Sequence, residues 1–260
     1  MSTLTLGNAT VGYAVEGDGT PLLLFHGTTM SRTGWDMVRP ELPGSYQYVM
    51  VEFPGSGESS MPEGPIETAD LVVQALAVMD HLGIERFHVA GYSLGAVAAL
   101  ATAAAAPARV ISCTSLCGWA TTDARMKFTF GLWRQLIATS PELFMRYAVA
   151  DGFTAGAIAA MEPMLEAVVA MGAPTIAPGS DAQLDLDERI DLSGVLGSIT
   201  SPTLIIGGEQ DRWVDVSHSH ALGQAIAGSR VETLPFGHLV IQEGAAAVAA
   251  LLHAHVSASA

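Results

Sequence analysis

Phe87-His88-Val89-Ala90-Gly91-Tyr92-Ser93-Leu94-Gly95 is the stretch whose reading decides the fold. Phe87–Ala90 is a short apolar run of strand character, and an Ala-rich helical run from about Leu94 to Ala106 follows with almost no connection. Between them lies Gly91-Tyr92-Ser93-Leu94-Gly95, a G-x-S-x-G pattern in the strand–turn–helix setting that gives it meaning. Glycines on either side of the serine remove the Cβ atoms that would collide where strand and helix pack closely. The turn then holds the Ser93 hydroxyl out at the end of the strand, beside the unpaired N–H groups that open a helix.

Working outward, short apolar runs bounded by turn residues alternate with helical stretches. Thr3–Leu6 and Thr10–Glu16 read as a hairpin, and Pro21–Phe25 and Gln47–Val51 as buried strands. Ile66–Leu82 reads as a helix, and Val110–Leu116, Pro202–Ile206 and Val231–Leu234 as further strands. A helix near Ser217–Ala227 and a last one over Gln242–His255 complete the series, with a Ser-Ala tail, Ser257–Ala260, expected to fray. Alternation of this kind predicts an α/β fold with a mostly parallel sheet. From about Ala120 to Leu192 the pattern loses its strands and becomes helical. The expected organisation is one core, residues 1–119 and 193–260, interrupted by a helical cap over 120–192.

Composition narrows the partners. Half of the 260 residues are hydrophobic and 14% are charged, enough for a large core. Eleven basic against 26 acidic residues give a formal charge of −15, which argues against nucleic acid or an anionic membrane as the partner. The Ala-rich run near Ala98–Ala106 comes nearest to a membrane span and stops at Pro107, and no secretory signal opens the chain, so a cytoplasmic protein is expected. Cys113 and Cys117 have no zinc-type company and read as buried thiols. No motif implies a metal or an organic cofactor.

A serine hydroxyl needs a base, and the base an orienting acid. His238 follows the strand Val231–Leu234, and Asp211 follows Pro202–Ile206, so both sit at strand ends on the side where α/β sheets bind ligands. Glu209, Asp215 and the more distant Asp123 are rivals for the acid. Surface or capping roles are expected of His81, His88, His218, His220, His253 and His255, and a loop-bracing bond of His26. The donors to an oxyanion are expected at the backbone amides of Leu94 and Thr28, the latter in the loop that begins Phe25-His26-Gly27-Thr28.

These features together resemble the α/β-hydrolase superfamily over essentially the whole chain. His26-Gly27 is similar to its oxyanion-loop signature. Glu52-Phe53-Pro54-Gly55-Ser56-Gly57-Glu58-Ser59 resembles its D-x-x-G-x-G-x-S turn, with glutamate in place of the first aspartate. Ser201–Gly207 looks like the family's strand leading to the acid. The resemblance implies an α/β-hydrolase fold with a helical cap, a Ser93–Asp211–His238 triad, and Thr28 and Leu94 at the oxyanion hole. It implies hydrolysis of a carboxylic ester or lactone of a largely apolar small molecule through an acyl-enzyme. The same site could instead serve a lyase, by elimination or C–C cleavage. Trp133 and Met126 in the insertion, with Trp119 just after the strand Val110–Leu116 and Trp35 in the helix after the oxyanion loop, are expected to line the pocket, while Arg125, Lys127 and Arg134 face either an acidic group or solvent.

Overall fold

The computed structural model describes residues 2–259. Eight strands form one sheet: β1 (Ser2–Leu6), β2 (Ala9–Glu16), β3 (Thr20–Phe25), β4 (Tyr46–Val51), β5 (Phe87–Tyr92), β6 (Val110–Leu116), β7 (Thr203–Gly208) and β8 (Arg230–Leu234). Their order is β1-β2-β4-β3-β5-β6-β7-β8. β1 and β2 pair antiparallel, as do β2 and β4, and every pairing from β4 through β3 to β8 is parallel. The central strands are apolar on both faces, as burial on both sides requires: Leu22, Leu23, Leu24 and Phe25 are all inside.

The helices are α1 (Thr68–His81), α2 (Leu94–Ala105), α3 (Ala124–Thr139), α4 (Pro141–Gly152), α5 (Ala155–Met161), α6 (Leu165–Gly172), α7 (Ser180–Arg189), α8 (Val216–Ala225), α9 (Val240–Glu243) and α10 (Ala245–Ala258). Helix α1 starts later than its apolar pattern because Glu67 and Asp70 form a reciprocal capping box there. The single closing helix expected over Gln242–His255 is two, broken at Gly244, where a Cβ would meet the Phe236 ring at 2.2 Å. Helix α10 runs through Ala258, so Ser257 and Ala258 of the tail expected to fray are helical, and Ala260 lies outside the described residues, as Met1 does.

Each face of the sheet carries a core. On one, Val97, Leu100 and Ala103 of α2 pack with Leu71, Val78 and Met79 of α1 and extend into the cap through Trp119, Phe130 and Trp133. On the other, Trp35 packs with Leu22, Leu24 and the α10 residues Val248 and Leu252. His88 departs from the surface role expected of it. It is buried on the central strand, and its Nδ1 lies 2.8 Å from the Ser112 hydroxyl of the neighbouring strand.

Helices α3 to α7 rise between β6 and β7. Where the chain leaves and returns, Thr121 and Asp191 form an antiparallel bridge, with Thr122 N–H donating to Ile190 O and Leu192 N–H to Ala120 O. The helical stretch Ala155–Thr175 has a mean hydropathy of 1.3 and is long and apolar enough to cross a membrane, whereas the sequence pointed to Ala98–Ala106 as the nearest approach. Glu162, Pro163 and Glu166 interrupt it.

Candidate active site

The elbow is as tight as its glycines suggest. A Cβ on Gly91 would lie 1.8 Å from Gly95 O, and one on Gly95 would lie 2.4 Å from Phe25 O. Ser93 sits between them with φ 57° and ψ −121°, a conformation costly for a residue with a side chain. Its N–H donates to Leu116 O at 2.9 Å, which fixes the turn to the end of β6. Among the described residues, the non-glycine residues with positive φ are Thr29, Ser93 and Cys117, which follow β3, β5 and β6. Backbone strain therefore collects along one edge of the sheet, at its carboxyl ends.

At that edge His238 Nε2 lies 3.0 Å from Ser93 Oγ, and His238 Nδ1 lies 2.6 Å from Asp211 Oδ2. With a carboxylate accepting the Nδ1 proton, the Nε2 lone pair faces the serine hydroxyl. All three residues are buried. Asp211 is held in turn: its Oδ1 accepts from the N–H groups of Trp213 and Val214, both at 2.9 Å. The acid and histidine loops are zipped together by Glu209 N–H to Leu234 O and Gln210 N–H to Phe236 O. Tyr92, next to the serine, donates its hydroxyl to His238 O at 3.0 Å, and the imidazole is flanked by the rings of Tyr92 and Trp213 at 5.3 and 4.8 Å.

The rival acids are occupied elsewhere. Asp123 caps α3 by accepting from Met126 N–H and pairs with His218. Asp215 caps α8, and Glu209 accepts from the Thr233 hydroxyl. Cys117, Asp211 and His238 offer atoms within 4.8 Å of one another, a grouping that could in principle hold a metal. The donor set fits poorly, because burial pushes the Cys117 thiol well above its ordinary pKa and the Asp211 oxygens already accept from His238 and two backbone amides.

Thr28 lines the cavity that Ser93 opens on, and Leu94 follows Ser93 directly. Leu94 opens α2, where no intrahelical acceptor is available, and neither N–H has a hydrogen-bond partner among the described residues. His26 braces the loop beneath Thr28. Its Nδ1 faces Gly27 O at 2.8 Å and its Nε2 accepts from Phe53 N–H at 3.1 Å, so the ring is neutral. Burial lowers its pKa to about 4, in agreement.

Above Ser93 lies a cavity of about 290 Å3, near the small end for ligand sites. Trp133, Phe144, Phe153, Trp213 and Leu239 line it, together with Thr28, Ser31, Thr33 and Gln242. Among the described residues, no Lys, Arg, Asp or Glu lines it. Of the four pocket residues expected, Trp133 alone reaches the cavity. Trp35 is on the opposite face of the sheet, its Nε1 donating to Phe25 O. Trp119 is turned into the core, with Nε1 donating to the Thr122 hydroxyl, and Met126 faces the core from the first turn of α3. Phe128 points outward and is 83% exposed. Arg125 donates to Arg212 O and Arg134 pairs with Asp181, both away from the cavity.

Sequence reasoning missed Trp213, two residues after the acid and the wall beside the imidazole. Its Nε1 donates to Asp151 of α4 at 2.9 Å, which ties the cap to the acid loop. It also missed Gln183 and Asp187, buried polar residues on α7. Their signal is a spacing of four on a helix whose other buried side chains include Leu184 and Leu186.

A family model for the alpha/beta hydrolase fold matches residues 20–171. A pyrrolizixenacetamide deacetylase from Xenorhabdus hominickii is 30% identical over 92% of this chain and 91% of its own. Among solved structures, a hydrolase from Pseudomonas aeruginosa PA01 superposes with a TM-score of 0.85 at 26% identity, over 98% of this chain and 97% of that one. An enol-lactonase from Burkholderia xenovorans LB400 reaches a TM-score of 0.86 at 20% identity, over 98% and 100%.

Proposed function

Since this chain belongs to the α/β-hydrolase fold family and is a hydrolase, we propose that it cleaves small, uncharged, largely apolar esters or lactones through an acyl-enzyme on Ser93. One observation carries this reading: the relay Asp211–His238–Ser93 opens onto a cavity lined by no Lys, Arg, Asp or Glu among the described residues. A carboxylate on the substrate would have no cation to meet there and would lose its hydration without compensation. A relative named as a deacetylase supports acyl chemistry in general.

In the acylation step His238 Nε2 takes the proton of Ser93 Oγ as the oxygen attacks the carbonyl carbon. The resulting oxyanion lies against the N–H groups of Thr28 and Leu94, and Asp211 keeps the imidazolium oriented and stabilised. The imidazolium then gives its proton to the departing alkoxide as the carbon–oxygen bond breaks. Water attacks the acyl-enzyme, His238 accepts one of its protons, and Ser93 leaves with that proton restored. The acid product departs.

A fluorophosphonate probe tests the assignment. Wild-type protein labels on Ser93 and Ser93→Ala does not; folded wild-type protein that stays unlabelled overturns the reading. Turnover in ¹⁸O-water separates hydrolysis, which places the label in the acid, from elimination, which does not.

A further inference from the structure

The oxyanion loop does little to support itself. Between β3 and the short helical turn Arg32–Trp35, its internal backbone bond is Met30 N–H to Gly27 O at 3.2 Å, and Thr29 holds φ at 68°. What fixes it comes from α7, far along the chain. Asp187 Oδ2 accepts from the Thr28 hydroxyl at 2.6 Å. Gln183 Oε1 accepts from Thr29 N–H at 3.0 Å, and Thr29 O accepts from Ala177 N–H at 2.9 Å. The Gln183 amide donates to Pro54 O and to Ser56 Oγ, and that hydroxyl donates onward to Met30 O. Asp187 is anchored at its own end, its carbonyl accepting from the Thr122 hydroxyl, which accepts from Trp119 Nε1.

A fully buried acid with no cation among its partners is an expensive way to fill a helix position that leucine would fill more stably. Asp187 does not line the cavity, so contact with substrate does not account for it. What it touches is the side chain of the residue whose N–H faces the oxyanion. We propose that Asp187, seconded by Gln183, is a positioning residue: it orients Thr28 so that its N–H converges with that of Leu94, making cap helix α7 a structural part of the oxyanion hole. This rests on the reading of Ser93 as nucleophile. Burial raises the Asp187 carboxyl well above the usual carboxylate range, and asparagine, its closest mimic in shape, keeps an oxygen that can accept from the Thr28 hydroxyl.

The test uses Asp187→Leu, Asp187→Asn, Thr28→Val and the double variant Thr28→Val/Asp187→Leu, assayed on a p-nitrophenyl ester and against a trifluoromethyl ketone that mimics the tetrahedral adduct. Asp187→Leu and Thr28→Val each lower kcat by about 10- to 100-fold while KM stays within about threefold, and ketone affinity falls in step with kcat/KM. Asp187→Asn stays within about threefold of wild type, and the double variant is no worse than the poorer single one. Thr28→Val retaining wild-type kcat overturns the proposal, and so does an asparagine variant as impaired as the leucine one. Should Asp187→Leu fail to fold, Thr28→Val still decides, since it exchanges a hydroxyl for a methyl of similar size. Fluorophosphonate labelling of wild-type protein keeps the failures apart. An unlabelled wild type removes the serine reading itself, whereas a labelled wild type with an inert Thr28→Val removes only the clamp.

Discussion

Two parts of the same cap are fastened by different physics. Helix α7 buries Gln183, Leu184, Leu186 and Asp187 and reaches the core through hydrogen bonds of fixed direction, to Thr28, Thr29, Pro54 and Ser56. Among the described residues, helices α5 and α6 make no such bonds to the sheet; at this end the directional tie is from Thr154, the N-cap of α5, to the Glu243 carboxylate of α9. Both helices hold on through a small separate apolar cluster, Val149, Phe153 and Val169 with neighbours such as Met161 and Leu165, and they leave Met164 and Met171 largely exposed. Directional bonds specify one geometry, whereas methionine-rich apolar contact tolerates several. The contrast separates a part of the cap that sets the chemistry from a part that can adapt to what the cavity holds.

The largest expected effect belongs to the fixed side, where the sheet edge meets the cavity. Ser93→Ala lowers kcat/KM for a p-nitrophenyl ester by about 10⁴-fold or more without lowering Tm. Activity within tenfold of wild type would erase the distinction at its root. On α7, Gln183→Leu strands Thr29 N–H and Pro54 O and takes a donor from Ser56 Oγ, and urea unfolding should record a loss of about 2–4 kcal/mol. A loss below about 0.5 kcal/mol would make α7 as loosely held as α6.

Acid probes the base of the same loop. The unfolded chain binds a proton at His26 near its ordinary 6.5, while burial holds the folded value at about 4. His26 therefore contributes fully above pH 6.5, and its contribution is lost as pH falls through that window to 4. At its steepest the dependence approaches about 1.4 kcal/mol per pH unit, and His26→Gln should flatten this part of the urea-midpoint profile. The smallest effect is expected on α6: Met171→Gln should change stability by no more than about 0.5 kcal/mol, because the side chain is 76% exposed. A cost above about 2 kcal/mol would mean that α6 is anchored after all.

Legibility in the sequence follows the range of the interactions. The parallel sheet and the meeting of Ser93, Asp211 and His238 were readable because each depends on a local pattern, a strand run followed by its own loop. The loop after Pro202–Ile206 favours Asp211 over Asp123, Asp215 and Glu209, and the structure adds that each rival is engaged elsewhere. Trp35 and Trp119 were misplaced because periodicity says that a tryptophan is buried, not on which side of the sheet or toward which cavity. Met126 and Phe128, two positions apart on α3, turn respectively to the core and to solvent, a rotation that a Met- and Phe-rich segment does not announce. The α7 clamp was least visible. It joins residues more than 150 apart, and glutamine and aspartate on a helix ordinarily mark its wet face.

The bridge between Thr121 and Asp191 has a further consequence. The insertion begins and ends at hydrogen-bonded neighbours, so the chain closes on itself before the cap begins. Helices could be lengthened, shortened or exchanged above that closure without shifting the register of β6 against β7, since loop entropy grows only slowly with length. Apart from the backbone bonds of Ala177 to Thr29, Gly179 to Gly55 and Leu239 to Gly152, the cap is a cassette as far as the backbone is concerned. Its exchange has one condition written into the side chains: any replacement has to bring its own partner for Thr28.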